Sequence, residues 1–133
     1  MKIIMQPEGG SLDESLQIRD AGPWDMDRLV DLLGQLFAIE RDFAVDPLRQ
    51  RQGLSLLLNG CGKHRCLKVA FLRGEVIGMG SAQMVISTAE GGWSAWIEDI
   101  VVDQGWRGRG VGRRIMEALE TWAVEHGALR MQL

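Results

Sequence analysis

Residues 103–112 read Asp-Gln-Gly-Trp-Arg-Gly-Arg-Gly-Val-Gly and lead straight into a helical repeat of apolar residues. A glycine-rich turn from a strand into a helix start builds an anion site. The first N–H groups of a helix lack intrahelical partners, and the helix dipole adds positive charge there. Glycines let a phosphate approach without a Cβ in the way. Arg107, Arg109, Arg113 and Arg114 gather around this turn, although the chain carries 15 Lys plus Arg against 18 Asp plus Glu, a net charge of −3. A basic cluster against the overall sign points to a phosphorylated ligand; a solvated helix face behind a glycine turn would carry the same residues. Counted from Gly108 and Gly110, a dinucleotide fingerprint needs a glycine where Arg113 stands and an acidic residue about 20 positions on, where Arg130 stands. A P-loop needs Gly-Lys-Ser/Thr, and Gly112 is followed by Arg113-Arg114. Neither fits. Cys61-Gly62-Lys63-His64-Arg65-Cys66 brings two thiols and an imidazole together. Zinc wants a fourth ligand, and the other histidine, His126, sits at the far end of another helix, so the segment reads as a structural loop and no metal is assigned.

The elements that must position this loop follow from periodicity. Residues 1–14 form a loosely held leader, and 15–133 the domain. A short strand covers Leu16–Arg19. Pro23 opens a helix in which Met26, Leu29, Val30, Leu33, Leu36 and Phe37 form one apolar face. A second helix runs from Pro47 to Leu58, with Asp46 as its N-cap and Asn59-Gly60 as its stop. Cys66–Arg73 and Glu75–Ser87 are strands joined by a tight hairpin turn at Arg73-Gly74-Glu75, and Gly78 and Gly80 mark a bulge or a close backbone approach. Trp93–Val102 is a third long strand. Val111, Ile115, Ala118, Leu119 and Trp122 then mark a helix that ends at Gly127, and Ala128–Leu133 starts one more strand. The order β-α-α-β-β-β-α-β predicts a mixed α/β (α+β) domain with helices on a mostly antiparallel sheet.

At 133 residues, with 46% hydrophobic and 25% charged, the chain suits one globular domain and neither disorder nor a disulfide scaffold. The acidic balance argues against a nucleic-acid binder, and no apolar run approaches the ~20 residues that span a membrane. Two cysteines and no export signal predict a cytoplasmic protein.

Arg107-x-x-Gly110-x-Gly112, just after Ile100-Val101-Val102-Asp103, resembles the acetyl-CoA motif Gln/Arg-x-x-Gly-x-Gly/Ala of the GNAT family of N-acetyltransferases. The first strand and helix, the Gly74–Gly78 hairpin, Ile97–Val102 and the Glu125–Ala128 helix exit extend the resemblance over most of residues 16–133. It implies that amides from Arg107 through Gly108, Arg109, Gly110 and Val111 to Gly112, beside Arg113, cradle the CoA pyrophosphate. It also implies that Val101 and Val102 pair with the pantetheine arm like an added strand. A β-bulge in this strand would aim a main-chain N–H near Ile100–Val101 at the thioester oxygen.

Transfer to an amine needs the amine neutral and the leaving thiolate protonated. Glu98 and Asp99 precede the loop, where the family often places a carboxylate. Alternation puts them on opposite faces, and Glu98, acting through a water, is the favoured general base, with a surface carboxylate as the alternative. Glu40, Asp42 and Phe43 follow the first helix, in the segment that lines the acceptor site in the family, or form an ordinary solvated loop. The family's usual general acid is a tyrosine, and the sequence contains none. The resemblance implies direct transfer from acetyl-CoA to an amine of a small molecule or protein; the alternative is a CoA-binding module with little turnover. The family continues past this point with a helix and hairpin, so the resemblance implies either a truncated chain or an open edge at Ala128–Leu133 that a second copy pairs with in a homodimer.

Overall fold

The computed structural model describes residues 15–40, 44–60 and 63–133; the expectations for the leader 1–14 and for Asp42, Phe43 and Cys61 fall outside them. In chain order the elements are β1 (Gln17–Asp20), a 3-10 turn (Pro23–Asp25), α1 (Met26–Ile39), α2 (Pro47–Asn59), β2 (Arg65–Leu72), β3 (Glu75–Ser87), β4 (Gly92–Val102), a second 3-10 turn (Gln104–Trp106), α3 (Val111–Glu125) and β5 (Arg130–Gln132). One sheet carries the strands in the order β1-β2-β3-β4-β5. All neighbours are antiparallel except β4 and β5, which run parallel across the α3 crossover.

Local chemistry sets the boundaries. The Asp46 carboxylate caps α2 by accepting from the Arg49 amide at 3.2 Å, with Pro47 in the first turn. Arg73 and Gly74 both have positive φ, 50° and 82°, the signature of the two-residue turn whose twist matches a hairpin. Gly127, at φ 87°, ends α3: the Ala128 amide donates to the Ala123 carbonyl and the Gly127 amide to that of Val124.

The sheet separates two cores. On one side α3 contributes Val111, Ile115, Leu119, Trp122 and Ala123 against Ala70, Ile77, Ile97, Ile100 and Val102. On the other, Leu29, Leu32, Leu33 and Leu36 of α1 and Leu54 of α2 meet Leu67, Val69, Met79 and Val101. Gly78 and Gly80 mark a close approach. A Cβ at Gly80 would stand 2.7 Å from Ile115 Cγ2 and 3.1 Å from both Ile100 Cγ1 and Leu119 Cδ1. Asp25 is buried beside Arg19, which holds it through two bonds of 2.9 and 3.0 Å. Burial would raise the Asp25 carboxyl, but the Arg19 pair and the Gly22 amide outweigh it and hold the carboxyl below its ordinary range. Among the described residues, no helix is long and apolar enough to cross a membrane.

Candidate active site

The glycine-rich loop takes the shape its residue types require. Gly108 and Gly110 both adopt positive φ, 78° and 82°, and Gly110 is the residue from which α3 departs. The first helical bond runs from the Arg114 amide to the Gly110 carbonyl at 3.2 Å, so the amides of the first turn have no acceptor within the helix. The Arg107 Nε donates to the Val102 carbonyl at 2.9 Å, which closes the loop back on the end of β4. A glutamine amide could make the same bond, a physical reason for the Arg-or-Gln motif. The Arg109 guanidinium lies 5.1 Å from the centre of the Trp106 ring.

The start of the loop is clamped to α1. Asp103 accepts from the Gln35 Nε2 at 2.9 Å and pairs with Arg28 at 3.0 Å, and its second oxygen accepts from the Gly105 amide at 3.2 Å. The Gln35 side-chain Oε1 accepts from the Gln104 main-chain amide at 3.1 Å, and Arg28 also donates to the Val76 carbonyl at 2.7 Å. The Gln35 amide, with Arg28 and Gly105 and against the effect of burial, holds the Asp103 carboxyl below its ordinary range. No sequence pattern announces this clamp, because its partners stand 68 and 69 residues apart.

Next to the loop, β4 is open along one edge. β5 pairs only with Ser94, Ala95 and Trp96, and β4 continues six residues further to Val102. Among the described residues, no strand covers that stretch. An extended ligand can therefore lie beside Ile97–Val102 with its phosphates at the glycine turn, an arrangement that fits a phosphopantetheine arm.

The same stretch contains a bulge. Met79 pairs with Val101 and Ser81 with Glu98, so Asp99 and Ile100 together oppose the single residue Gly80. Asp99 takes φ 55° to make the slip, a conformation that aspartate tolerates better than most side chains. Strict alternation therefore fails here, and the expectation that Glu98 and Asp99 face opposite sides is corrected. Asp99 lines a cavity of about 700 Å³ with residues of α1 and α2, and Glu98 lines a neighbouring cleft with Trp96. Gln83 borders both, so the two carboxylates share the α1/α2 side of the sheet.

The cavity is walled by Leu33 and Phe37 of α1 and Gln50, Leu54 and Leu57 of α2, with Ala44 and Arg65 among its other neighbours. Glu40 caps the C-terminus of α1 and is not among its lining residues. Cys66 is buried in the α3-side core, and His64 faces the Trp93 ring at 5.3 Å. Among the described residues, no three His, Cys, Asp or Glu side chains form a metal-binding group. The structure thus brings Glu98, Asp99, Ile100–Val102 and Arg107–Arg113 to one corner. Gln35, Arg28 and Gln50, which the sequence did not single out, come from helices that pack there.

Residues 56–133 match the model of the acetyltransferase (GNAT) family. No curated protein matches the chain. The fold is similar to that of glucosamine-6-phosphate N-acetyltransferase from Arabidopsis thaliana, at 23% identity over 90% of this chain and 82% of that one, with a TM-score of 0.70. It is also similar to an aminoglycoside acetyltransferase from an uncultured soil metagenomic sample, solved in complex with sisomicin (22% identity, 90% and 77% coverage, TM-score 0.69). A third similar structure is AAC(6')-Iy in complex with the bisubstrate analog CoA-S-monomethyl-acetylneamine, at 19% identity, 88% and 77% coverage and a TM-score of 0.71.

Proposed function

The chain belongs to the acetyltransferase (GNAT) family, and from that premise we propose that it moves the acetyl group of acetyl-CoA directly to a primary amine of a small molecule or protein within a ternary complex. The observation that carries this reading is the open edge of β4, which leads into a glycine turn and the N-terminus of α3. Acetyl-CoA supplies the activated acyl group as a thioester. The amides of Arg107–Gly112, with Arg113 beside them, bind its pyrophosphate, and the edge at Val101–Val102 orients its arm. The Asp103 amide donates to the Ile77 carbonyl of β3, so by alternation the main-chain groups of Val101 face β3 and those of Val102 face the open edge, where its carbonyl also accepts from Arg107. An N–H freed by the bulge near Ile100–Val101 stabilises the developing oxyanion, a contribution of ~2.7–4 kcal/mol for one such donor.

Glu98 or Asp99 takes a proton from the acceptor ammonium, which frees its lone pair to attack the acyl carbon as the C–S bond breaks. The placement of Asp99 in the larger cavity supports it in this role beside Glu98. With no tyrosine in the sequence, the thiolate receives the second proton that the nitrogen sheds as the amide forms, through water, and the carboxylic acid returns the first to solvent. That absence also favours a second reading, CoA binding with little turnover. The reading extends to a cytoplasmic setting. It also includes pairing of Ala128–Leu133 with a second copy, supported by exposed Leu129 and Leu133 and testable by sedimentation velocity.

Thiol release from acetyl-CoA, followed colorimetrically with a panel of amines, tests the main reading. Amine-dependent release that a Gly110→Glu variant abolishes is expected. CoA binding without release on any amine would support the second reading, and Gly110→Glu binding CoA like the wild type would overturn the assignment of the loop.

A further inference from the structure

Gln50 does something in the cavity that acetyl transfer alone does not require. This residue of α2 is 8% exposed, and both its Oε1 and its Nε2 are buried with no hydrogen-bond partner among the described residues. It lines the cavity beside Leu33, Phe37, Leu54 and Leu57, and Asp99 borders the same space. A buried amide without partners destabilises a fold, and a leucine would occupy much the same volume without that cost. A carboxamide presents an acceptor and a donor side by side, and another amide, offering one of each, is its natural complement. Around Gln50 the walls of Leu33, Phe37, Leu54 and Leu57 suit a hydrocarbon body, while Asp46, Arg49, Arg65 and Gln83 line other parts of the cavity.

We infer that the acceptor is an α-amino-acid amide with a large apolar side chain: the side chain among the leucines, the amide on Gln50 and the amine toward Asp99. This inference rests on the transferase reading for its chemistry and on Gln50 for its specificity.

Calorimetry with CoA present can compare leucinamide, isopentylamine (the same skeleton without the amide) and glucosamine, on the wild type and on Gln50→Leu, with thiol release measured in parallel. Leucinamide should bind about tenfold tighter than isopentylamine, as expected for hydrogen bonds to an otherwise unsatisfied amide. Gln50→Leu should lose that preference while melting no lower than the wild type. Equal binding of leucinamide and isopentylamine, tighter binding of glucosamine, or a preference that survives in Gln50→Leu would overturn the inference. The wild-type comparison decides the matter even where the variant fails to fold. Turnover of glucosamine with no binding of leucinamide would sink the inference and leave the transferase reading standing. Selective leucinamide binding without thiol release on any amine would do the reverse.

Discussion

Replacing Gln35 with leucine tests whether α1 holds the glycine-rich loop in its binding shape. The substitution removes one hydrogen bond to the Asp103 carboxylate and one from the Gln104 amide. The first is worth ~1.5–3 kcal/mol and the second ~0.5–1.5 kcal/mol. Arg28 and the Gly105 amide still hold Asp103, so only part of the sum is lost, about 2 kcal/mol. This loss falls on the loop itself, and CoA must restore the geometry on binding, so its dissociation constant should rise roughly 30-fold. Calorimetry measures the affinity, and hydrogen exchange at residues 103–110 should show faster opening of the loop. The pH dependence has a definite sign. Asp103 sits below its ordinary value of 3.8, so its contribution is complete above that value and lost as the pH falls through the depressed one. Without Gln35, the largest influence holding it down, the loop should loosen at a higher pH than in the wild type. A Gln35→Leu protein that melts several degrees lower yet binds CoA within twofold of wild type would refute the reasoning, because the contacts would then serve the fold alone.

Gly80→Ala should cost about 1–3 kcal/mol in urea unfolding, because the added methyl meets three side chains buried between sheet and α3; a neutral result would mean that Ile115 relaxes freely. Arg19→Leu should destabilise by about 2 kcal/mol at neutral pH, leaving Asp25 with burial and only the Gly22 amide. The wild-type pair is most stabilising above the ordinary carboxylate value and weakens in acid; with the carboxyl pushed up instead, the variant's contribution from this site should fall as pH rises, which unfolding curves from pH 4 to 8 would reveal. Asp99→Asn preserves a side chain that tolerates positive φ while removing the base, so kcat should fall about 10²–10⁴-fold with CoA affinity unchanged. Comparison with Glu98→Gln identifies which carboxylate takes the proton.

Much of the architecture was legible because it is written in local patterns. The 3.6-residue spacing of Leu29, Leu33 and Leu36, the Asp46-Pro47 cap, Arg73-Gly74 and Gly127 each act within a few residues, and each appears where expected. The glycine loop was legible for the same reason, its amides being next to one another in the chain. The facing of Asp99 was not. A bulge is a slip of one residue against a partner strand, and the apolar alternation that would reveal it is interrupted by Glu98 and Asp99 themselves. Leu32 was also missed, although it is fully buried, because the apolar face of α1 is wider than the stripe the spacing suggested. The Gln35–Asp103 clamp and the placement of Gln50 arise only when distant segments pack, and a polar side chain on a helix gives no sign of which neighbour it will meet.

The strand order of the sheet repeats the order of the chain. For a polypeptide emerging from the ribosome, each new strand therefore finds its neighbour already made. The two hairpins β2–β3 and β3–β4 close loops of only a few residues, so little chain entropy opposes them. The glycine turn and α3 are synthesised after β4, so the turn is laid onto a strand that is already anchored. β2 reaches β1 only after α1 and α2, and β5 reaches β4 only after α3 has crossed the sheet. Synthesis and assembly thus run in the same direction along β1 to β5, and the opening beside Ile97–Val102 is framed only after β4 is in place.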